Sequence, residues 1–343
     1  MFTLLLTCIG GELSPQVIKG LKSSARHDVR VIGVDAREDA AGRYFVDVFS
    51  TVPSGTNAEY VDVMAELVKR HGVNCVLPTS DEEALALSAR RELIEGDGCL
   101  LACADAGILR TVADKADCYR RLADIGIHVP HHCQVVKMEL LWDVLTSFLA
   151  DHNEAVVKPA AGRGGRGVYV LRRDVEGAYP YQGGREIHCD PVTFRRDYLN
   201  ELEALLPVVV MQRLVEPVFD VDMLAWQGQP VRIIPRRRVD SALPNEGHTI
   251  VDNEDLVKLG RDLIEGFNLS WLYDCDVMYD IDGRPCILEI NPRPSGSVAA
   301  PIAAGVPLLD DLISVAKGEG VPEVSIPVGR VVVPYKSLAV ICG

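Results

Sequence analysis

The chain has 343 residues, 48% of them apolar and 24% charged, the balance of a globular protein large enough for two or three cored domains. Its net charge of −14 argues against a nucleic-acid partner or an anionic membrane surface, so any anion site has to be locally basic. The apolar opening FTLLLTCIGG is too short to span a bilayer and has no basic region before it, so neither a membrane span nor a signal peptide is expected; the ten cysteines lack a C-x-x-C pair and read as reduced, mostly buried thiols of a cytoplasmic protein.

The first hundred residues alternate strand and helix signals. FTLLLTCI is a buried-strand run, and SPQVIKGLKS a helix with Ser14 as N-cap and Pro15 in its first turn. DVRVIGVDA is the next strand. AEYVDVMAELVKRHG has helical spacing at Val61, Met64, Leu67 and Val68, and Gly72 ends it. VNCVLPT and then DEEALALSARRELIEG, read as one helix, repeat the pair. This alternation predicts a parallel, doubly wound sheet. The loop CIGGELSP and Asp35 hint at a dinucleotide site, but the spacing is not G-x-G-x-x-G, and a plain tight turn accounts for it. Cys99 and Cys103 are spaced to meet on a helix, and HHC at 131–133 could hold metal. Neither has the other ligands of a zinc site nearby.

From residue 111 the pattern changes. TVADKADCYRRLADIGIHVP reads as one amphipathic helix with Asp114 near its start. In EAVVKPAAGRGGRGVYVLRR a strand ends at Lys158, and a loop with Gly162, Gly164, Gly165 and Gly167 follows before a second strand. A P-loop would lead into a helix. This loop joins strand to strand, as a flexible hairpin lid whose backbone N–H groups can close over phosphates, with Arg163 and Arg166 adding charge. An ordinary glycine-rich turn is the alternative. Residues 172–200 read as an exposed loop. LPVVVMQRLVEPVFDVDMLAW returns to a sheet, PVRIIPRRRV places Arg236 and Arg238 on one face and Arg237 on the other, and DNEDLVKLGRDLIEGFNL is a helix.

LYDCDVMYDIDGRPCILEINPR reads as two strands joined by a two-residue turn at Asp282-Gly283. That turn sets Asp276 opposite Glu289 and Asp274 opposite Asn291, with Cβ atoms about 4.5–5.5 Å apart. Carboxylates so placed repel unless a cation lies between them, and oxygen-only ligands suit Mg²⁺ or Mn²⁺. A solvated acidic hairpin in another register is the alternative.

A lysine before a glycine-rich hairpin lid, a hinge strand, then an acid followed by E-x-N-P-R resembles the ATP-grasp superfamily. VVKPAAGRGGRGV and ILEINPRPSGS are the specific parts. GGELSPQVIKGLK…VIGVDA…VLPTSDEEALAL is similar to one half of the large subunit of carbamoyl-phosphate synthase, or to its single-module ligase relatives. The resemblance implies an α/β ATP-grasp fold with an N-terminal Rossmann-like, parallel-sheet domain over 1–110, a lid subdomain over 111–211 and a metal-bearing subdomain over 212–343. It implies that Lys115 and Lys158 contact the phosphates of ATP, with Gly164, Gly165, Gly167 and Val168 in the lid. Gln212, Arg213 and Leu214 would meet adenine. Asp276, Glu289 and Asn291 would hold Mg²⁺ or Mn²⁺, and Arg293 would face the transferred phosphoryl group. Arg236 and Arg238 lie where relatives place bases for phosphate or substrate.

Two departures stand out. Relatives often carry a ribose-binding Glu where this chain has Val218, flanked by Glu216 and Asp220, and Asp276 replaces a Glu or Gln. The implied activity is an ADP-forming carboxylate–amine ligase working through an acyl phosphate on a small carboxylic acid and an amine such as an amino acid, with a homodimer as a candidate assembly. A module phosphorylating bicarbonate or carbamate, a non-catalytic ATP-binding subunit and a nicotinamide-dependent oxidoreductase are the alternatives.

Overall fold

A computed structural model of the chain describes residues 1–96, 98–162 and 167–335. The first sheet is made by β1 (Phe2–Leu6), β2 (Val29–Asp35), β3 (Val48–Thr51), β4 (Cys75–Leu77) and β5 (Leu100–Leu101), in the order β3-β2-β1-β4-β5. Every pairing in it is parallel. The connecting helices are α1 (Ser14–Lys22), α2 (Tyr60–His71), α3 (Asp81–Ala89) and α4 (Arg91–Glu95). Helices on both faces explain why Leu4, Leu5 and Leu6 are all buried in succession.

Local chemistry shifts some expected boundaries. Ser14 is the first helical residue rather than the cap; Leu13 holds the cap position and makes no side-chain cap bond. The helix expected over DEEALALSARRELIEG is two helices, because Arg90 leaves helical geometry at φ −129°, ψ 41°. Cys99 and Cys103 flank β5 instead of sharing a helix. Asp35 accepts from the backbone N–H of Gly10 at 2.7 Å and of Arg37 at 2.9 Å, so it braces the first loop as a turn.

Next come α5 (Ala106–Ala113) and α6 (Lys115–Asp124). The chain breaks between them at Asp114, whose carboxylate caps α6 by accepting from Ala116 N–H at 2.9 Å and Asp117 N–H at 3.0 Å. The single helix expected here therefore starts at Lys115. The second sheet has the order β6-β11-β7-β8-β10-β9. It contains β6 (His132–Val135), β7 (Glu154–Pro159), β8 (Tyr169–Arg172), β9 (Ala178–Pro180), β10 (Ile187–Cys189) and β11 (Val208–Met211), with α7 (Met138–His152) and α8 (Pro191–Asp197). β7 and β8 pair antiparallel, so the glycine loop is a hairpin connection. Arg163, Gly164, Gly165 and Arg166 lie outside the described residues. The exposed loop expected over 172–200 instead holds β9, β10 and α8, with Cys189 and Phe194 buried. Its strands are three residues long, too short to show alternation.

The third sheet has the order β16-β15-β12-β13-β14-β17. Its strands are β12 (Val215–Trp226), β13 (Gln229–Arg238), β14 (His248–Ile250), β15 (Trp271–Tyr279), β16 (Pro285–Asn291) and β17 (Val331–Val332). α9 (Glu254–Phe267) is capped by Asn253 and lays Leu256, Leu259, Leu263 and Ile264 against β13 and β12. α10 (Ala299–Ala303) and α11 (Leu308–Ala316) follow β16. Among the described residues no single helix is long and apolar enough to cross a membrane. One apolar core runs through the first and third sheets and takes in Val156, Val170, Val209 and Met211 from one face of the second, while the other face of the second sheet packs with α7 in a core of its own.

The β15–β16 hairpin pairs Asp276 with Glu289 and Asp274 with Asn291, as expected, but not through the expected turn. Asp280 pairs with Arg284, which leaves a three-residue turn, Ile281 to Gly283, with Gly283 at φ 77°. Asp280 braces it by accepting from the N–H groups of Asp282 and Arg284. The one-residue offset is cancelled at Leu288, which bulges out of the ladder between the Ile287 and Glu289 pairings.

Candidate active site

A cavity of about 780 Å³ opens among the three sheets. From α6 and β7 it receives Lys115 and Lys158, from the chain after β11 Gln212, Arg213, Leu214 and Glu216, and from the hairpin Asp276, Glu289, Asn291 and Arg293. Val168, Asp220 and Arg238 also line it. Gly167, at the end of the glycine-rich loop, has φ 71°, and a Cβ there would approach Leu205 and Pro159 at 3.0 and 3.1 Å.

The two lysines meet the hairpin differently. Lys115 donates to the Gly162 carbonyl at 2.8 Å and lies 3.7 Å from a Glu289 oxygen. Lys158 is buried and donates to the Tyr119 hydroxyl at 3.0 Å and to the bulged Leu288 carbonyl at 3.2 Å. Burial first, and Lys115 second, pull its ammonium down to about 7.

Behind the cavity wall lies a buried ionic lattice. Arg236 is completely enclosed and does not line the cavity. It donates to both Asp222 oxygens at 2.5 and 3.1 Å, to Asp274 at 3.3 Å, to Ser297 at 3.2 Å and to His248 Nδ1 at 2.9 Å. His248 Nε2 lies 2.7 Å from the Pro244 carbonyl. His248 is therefore the neutral tautomer with its proton on Nε2, and burial lowers its titration to about 4. Arg236 thus does not hold the place of a substrate-gripping base. Arg238 borders the cavity but grips Asp220 with two bonds of 2.9 Å and Asp276 with one of 2.6 Å. Asp220 is only 1% exposed and committed to Arg238. Glu216, at 33% side-chain exposure and 3.6 Å from Arg213, is the post-hinge acid more open to the cavity.

The hairpin oxygens fit a divalent cation. Burial, followed by the Asp220 and Glu289 charges, outweighs Arg238 and pushes the Asp276 carboxyl up to about 6. Asp220, Asp274 and Asp276 bring oxygens within 4.8 Å of one another, a group that shares Asp276 with the expected metal set but does not include Glu289. Asn291 donates to Asp274, which turns its carbonyl oxygen away from that bond and toward other use. A surplus of hard oxygen donors, with the Asp274 and Asp276 carboxyls both raised chiefly by burial, is a donor set that suits Mg²⁺ or Mn²⁺.

Other cavity residues escaped the sequence reading. Tyr181, Gly184 and Glu186 come from the segment between β9 and β10, and Ser241 to Glu246 from the β13–β14 connection. Glu186 pairs with Arg213 at 2.9 Å, and Tyr181 stacks on His188 at 4.3 Å between centroids. Irregular chain carries no periodic signal. Glu12 reaches the cavity from the β1–α1 loop.

Three family models match consecutive parts of the chain. A PylC-like N-terminal domain matches residues 4–102, a sugar-transfer associated ATP-grasp family residues 103–234, and an ATP-grasp family in the biosynthetic pathway with Ter operon residues 204–336. The chain belongs to the ATP-grasp superfamily. Solved structures resemble this ATP-grasp chain along most of its length. N5-carboxyaminoimidazole synthetase from Staphylococcus aureus, complexed with ADP, superposes with a TM-score of 0.67 at 13% identity, over 94% of this chain and 78% of that one. The biotin carboxylase domain of the Hydrogenobacter thermophilus 2-oxoglutarate carboxylase, solved with MgADP and bicarbonate, gives 0.66 at 15%, over 96% and 72%. L-amino acid ligase from Bacillus licheniformis gives 0.61 at 15%, over 92% and 74%. At these identities the likeness is one of fold. No curated protein sequence matches the chain.

Proposed function

We propose that this ATP-grasp protein is an ADP-forming ligase that joins a small carboxylic acid to an amine, with an amino acid as one substrate. One observation carries the reading: Lys115, Lys158 and Arg293 line the same cavity as the opposed carboxylates Asp276 and Glu289. A carboxylate is a poor electrophile until its oxygen becomes a leaving group. Transfer of the γ-phosphoryl group supplies one, and an amine then attacks the acyl phosphate. Both reactants are anionic, so their approach needs neutralising charge. Lys158, whose direct partners among the described residues are a hydroxyl and a carbonyl, gains a charged one when a phosphate arrives, and Lys115 sits between the Gly162 carbonyl and Glu289 to do the same. Mg²⁺ held by Asp276, Glu289 and Asn291 would neutralise charge on the phosphates when bound. Arg293 presents a planar guanidinium suited to the substrate carboxylate or the transferred phosphoryl group. Closure of the glycine-rich loop would exclude water, which otherwise hydrolyses the acyl phosphate. Gln212 to Leu214 offer the adenine contacts, with Glu216 the more accessible of the two acids for the ribose.

A screen of acids and amines, reading ADP release with mass detection of products, finds the pair. Acid carrying ¹⁸O should pass label into released phosphate, because the acyl oxygen leaves with the phosphoryl group. Unlabelled phosphate, or AMP and pyrophosphate, would overturn the mechanism. Bicarbonate belongs in the same screen: ADP release with bicarbonate alone would favour a carbamoyl-phosphate-synthase-type phosphorylating module over a carboxylate–amine ligase.

A further inference from the structure

Arg293 is reached from the far end of the chain. Its Nε donates to an Asp81 oxygen at 2.8 Å, across 212 residues of sequence, and its Nη1 donates to the Pro294 carbonyl at 3.2 Å. Arg293 lines the cavity whereas Asp81 does not. The contact is largely dry, with side-chain exposures of 12% and 21%.

Asp81 is itself held firmly. It is the first residue of α3, Ser80 caps that helix by accepting from Glu83 N–H at 3.3 Å, and a carboxylate in a first turn is favoured by the helix dipole. Asp81 takes the Nε side of the guanidinium. That leaves the Nη1/Nη2 end, one of the two edges that can engage a planar carboxylate or a phosphoryl group with two parallel bonds, with one Nη1 hydrogen on the Pro294 carbonyl and the others toward the cavity. An arginine has four side-chain torsions, and a fixed acid on its Nε is an effective way to aim the other edge. Three other described arginines bordering or backing the pocket are engaged elsewhere: Arg236 and Arg238 by Asp222 and Asp220, Arg213 by Glu186.

We infer that Asp81 is a positioning residue, through which the N-terminal sheet aims Arg293 at the acid substrate. The inference rests on the ligase reading above. It gives the N-terminal unit a part in the chemistry of a hairpin that lies in another sheet.

The test compares Asp81→Asn, which keeps an oxygen acceptor but loses the charge, with Asp81→Ala, in wild-type and Arg293→Ala backgrounds. With the acid–amine pair found for wild type, Asp81→Ala should lower kcat/KM for the acid roughly 10²-fold, with Asp81→Asn intermediate. KM for ATP should stay within about twofold. Asp81→Glu should recover part of the loss. In the Arg293→Ala background Asp81→Ala should have no further effect, since a residue acting only through another is silent once that one is gone. Normal turnover by Asp81→Ala, an equal loss of ATP affinity, or a full additional loss on top of Arg293→Ala would overturn the assignment. Should Asp81→Ala not fold, the same comparisons are read from Asp81→Asn. A wild type that binds MgADP in calorimetry yet releases no ADP with any acid refutes the ligase reading, and this role with it. A wild type that turns over beside an unaffected Asp81 variant refutes the positioning role alone.

Discussion

Lys158 and Arg236 are both buried cations near one cavity, and they are surrounded in opposite ways. Arg236 touches Asp222 and Asp274, and although burial opposes its charge, Asp222 and Asp220 outweigh burial and raise its titration. Lys158 touches a hydroxyl and a carbonyl, both neutral, and titrates near 7. A buried charge matched within the protein acts as structure. A buried charge left unmatched is costly until a ligand matches it.

The sharpest way to break this contrast is to remove the matched cation. Arg236→Ala should destabilise the fold by about 3–5 kcal/mol, because Asp222 and Asp274 become unpaired buried carboxylates. Urea unfolding followed by circular dichroism measures it, and a loss under about 1 kcal/mol would deny the lattice its structural role. Glu289→Gln comes next. ADP-forming turnover should fall roughly 10²–10³-fold while the unfolding midpoint stays close to that of wild type. Near-normal activity at limiting Mg²⁺ would remove Glu289 from the site.

Lys158→Met sharpens the other side. MgATP affinity should fall about tenfold or more, while the nucleotide-free protein gains about 1 kcal/mol at neutral pH, since an apolar side chain replaces an uncompensated ammonium. Loss of both affinity and stability would show that the lysine is structurally matched after all. The smallest effect is in pH. The folded value of Lys158, about 7, lies below the unfolded value of about 10.4. Between the two the unfolded chain holds the extra proton, so this group makes the nucleotide-free protein more stable as pH rises through that window. Bound phosphates should return the proton, so calorimetry in two buffers of different protonation enthalpy at about pH 8 should show proton uptake on MgATP binding. Zero uptake would mean that Lys158 does not titrate against the nucleotide.

Much of this was readable in the residues. The alternation of the first sheet, the strand ending near Lys158 and the pairing of Asp276 with Glu289 follow from short-range pattern, and all are present. The fate of Arg236 was not read, although a signal existed: Asp220 and Asp222 share a face of β12, Arg236 and Arg238 share a face of β13, and the two strands pair antiparallel. Acids and bases in step on adjacent strands satisfy one another before they serve a ligand. The cavity walls from 181–186 and 241–246 had no such signal, because their positions depend on tertiary contacts. Helix ends at Asp114 and Arg90 were missed because apolar spacing continued across a break in backbone angle.

The bulge at Leu288 has one more consequence. It restores the alignment that the three-residue turn displaces, and its carbonyl, released from the strand ladder, is the one that receives both Tyr119 and Lys158. That anchor is a main-chain atom. Alanine scanning at 288 would leave it in place, and drift in the side chain there would not disclose it. A deletion in the hairpin would move it, so the position of this anchor depends on the length of chain between turn and bulge rather than on the side chain at 288.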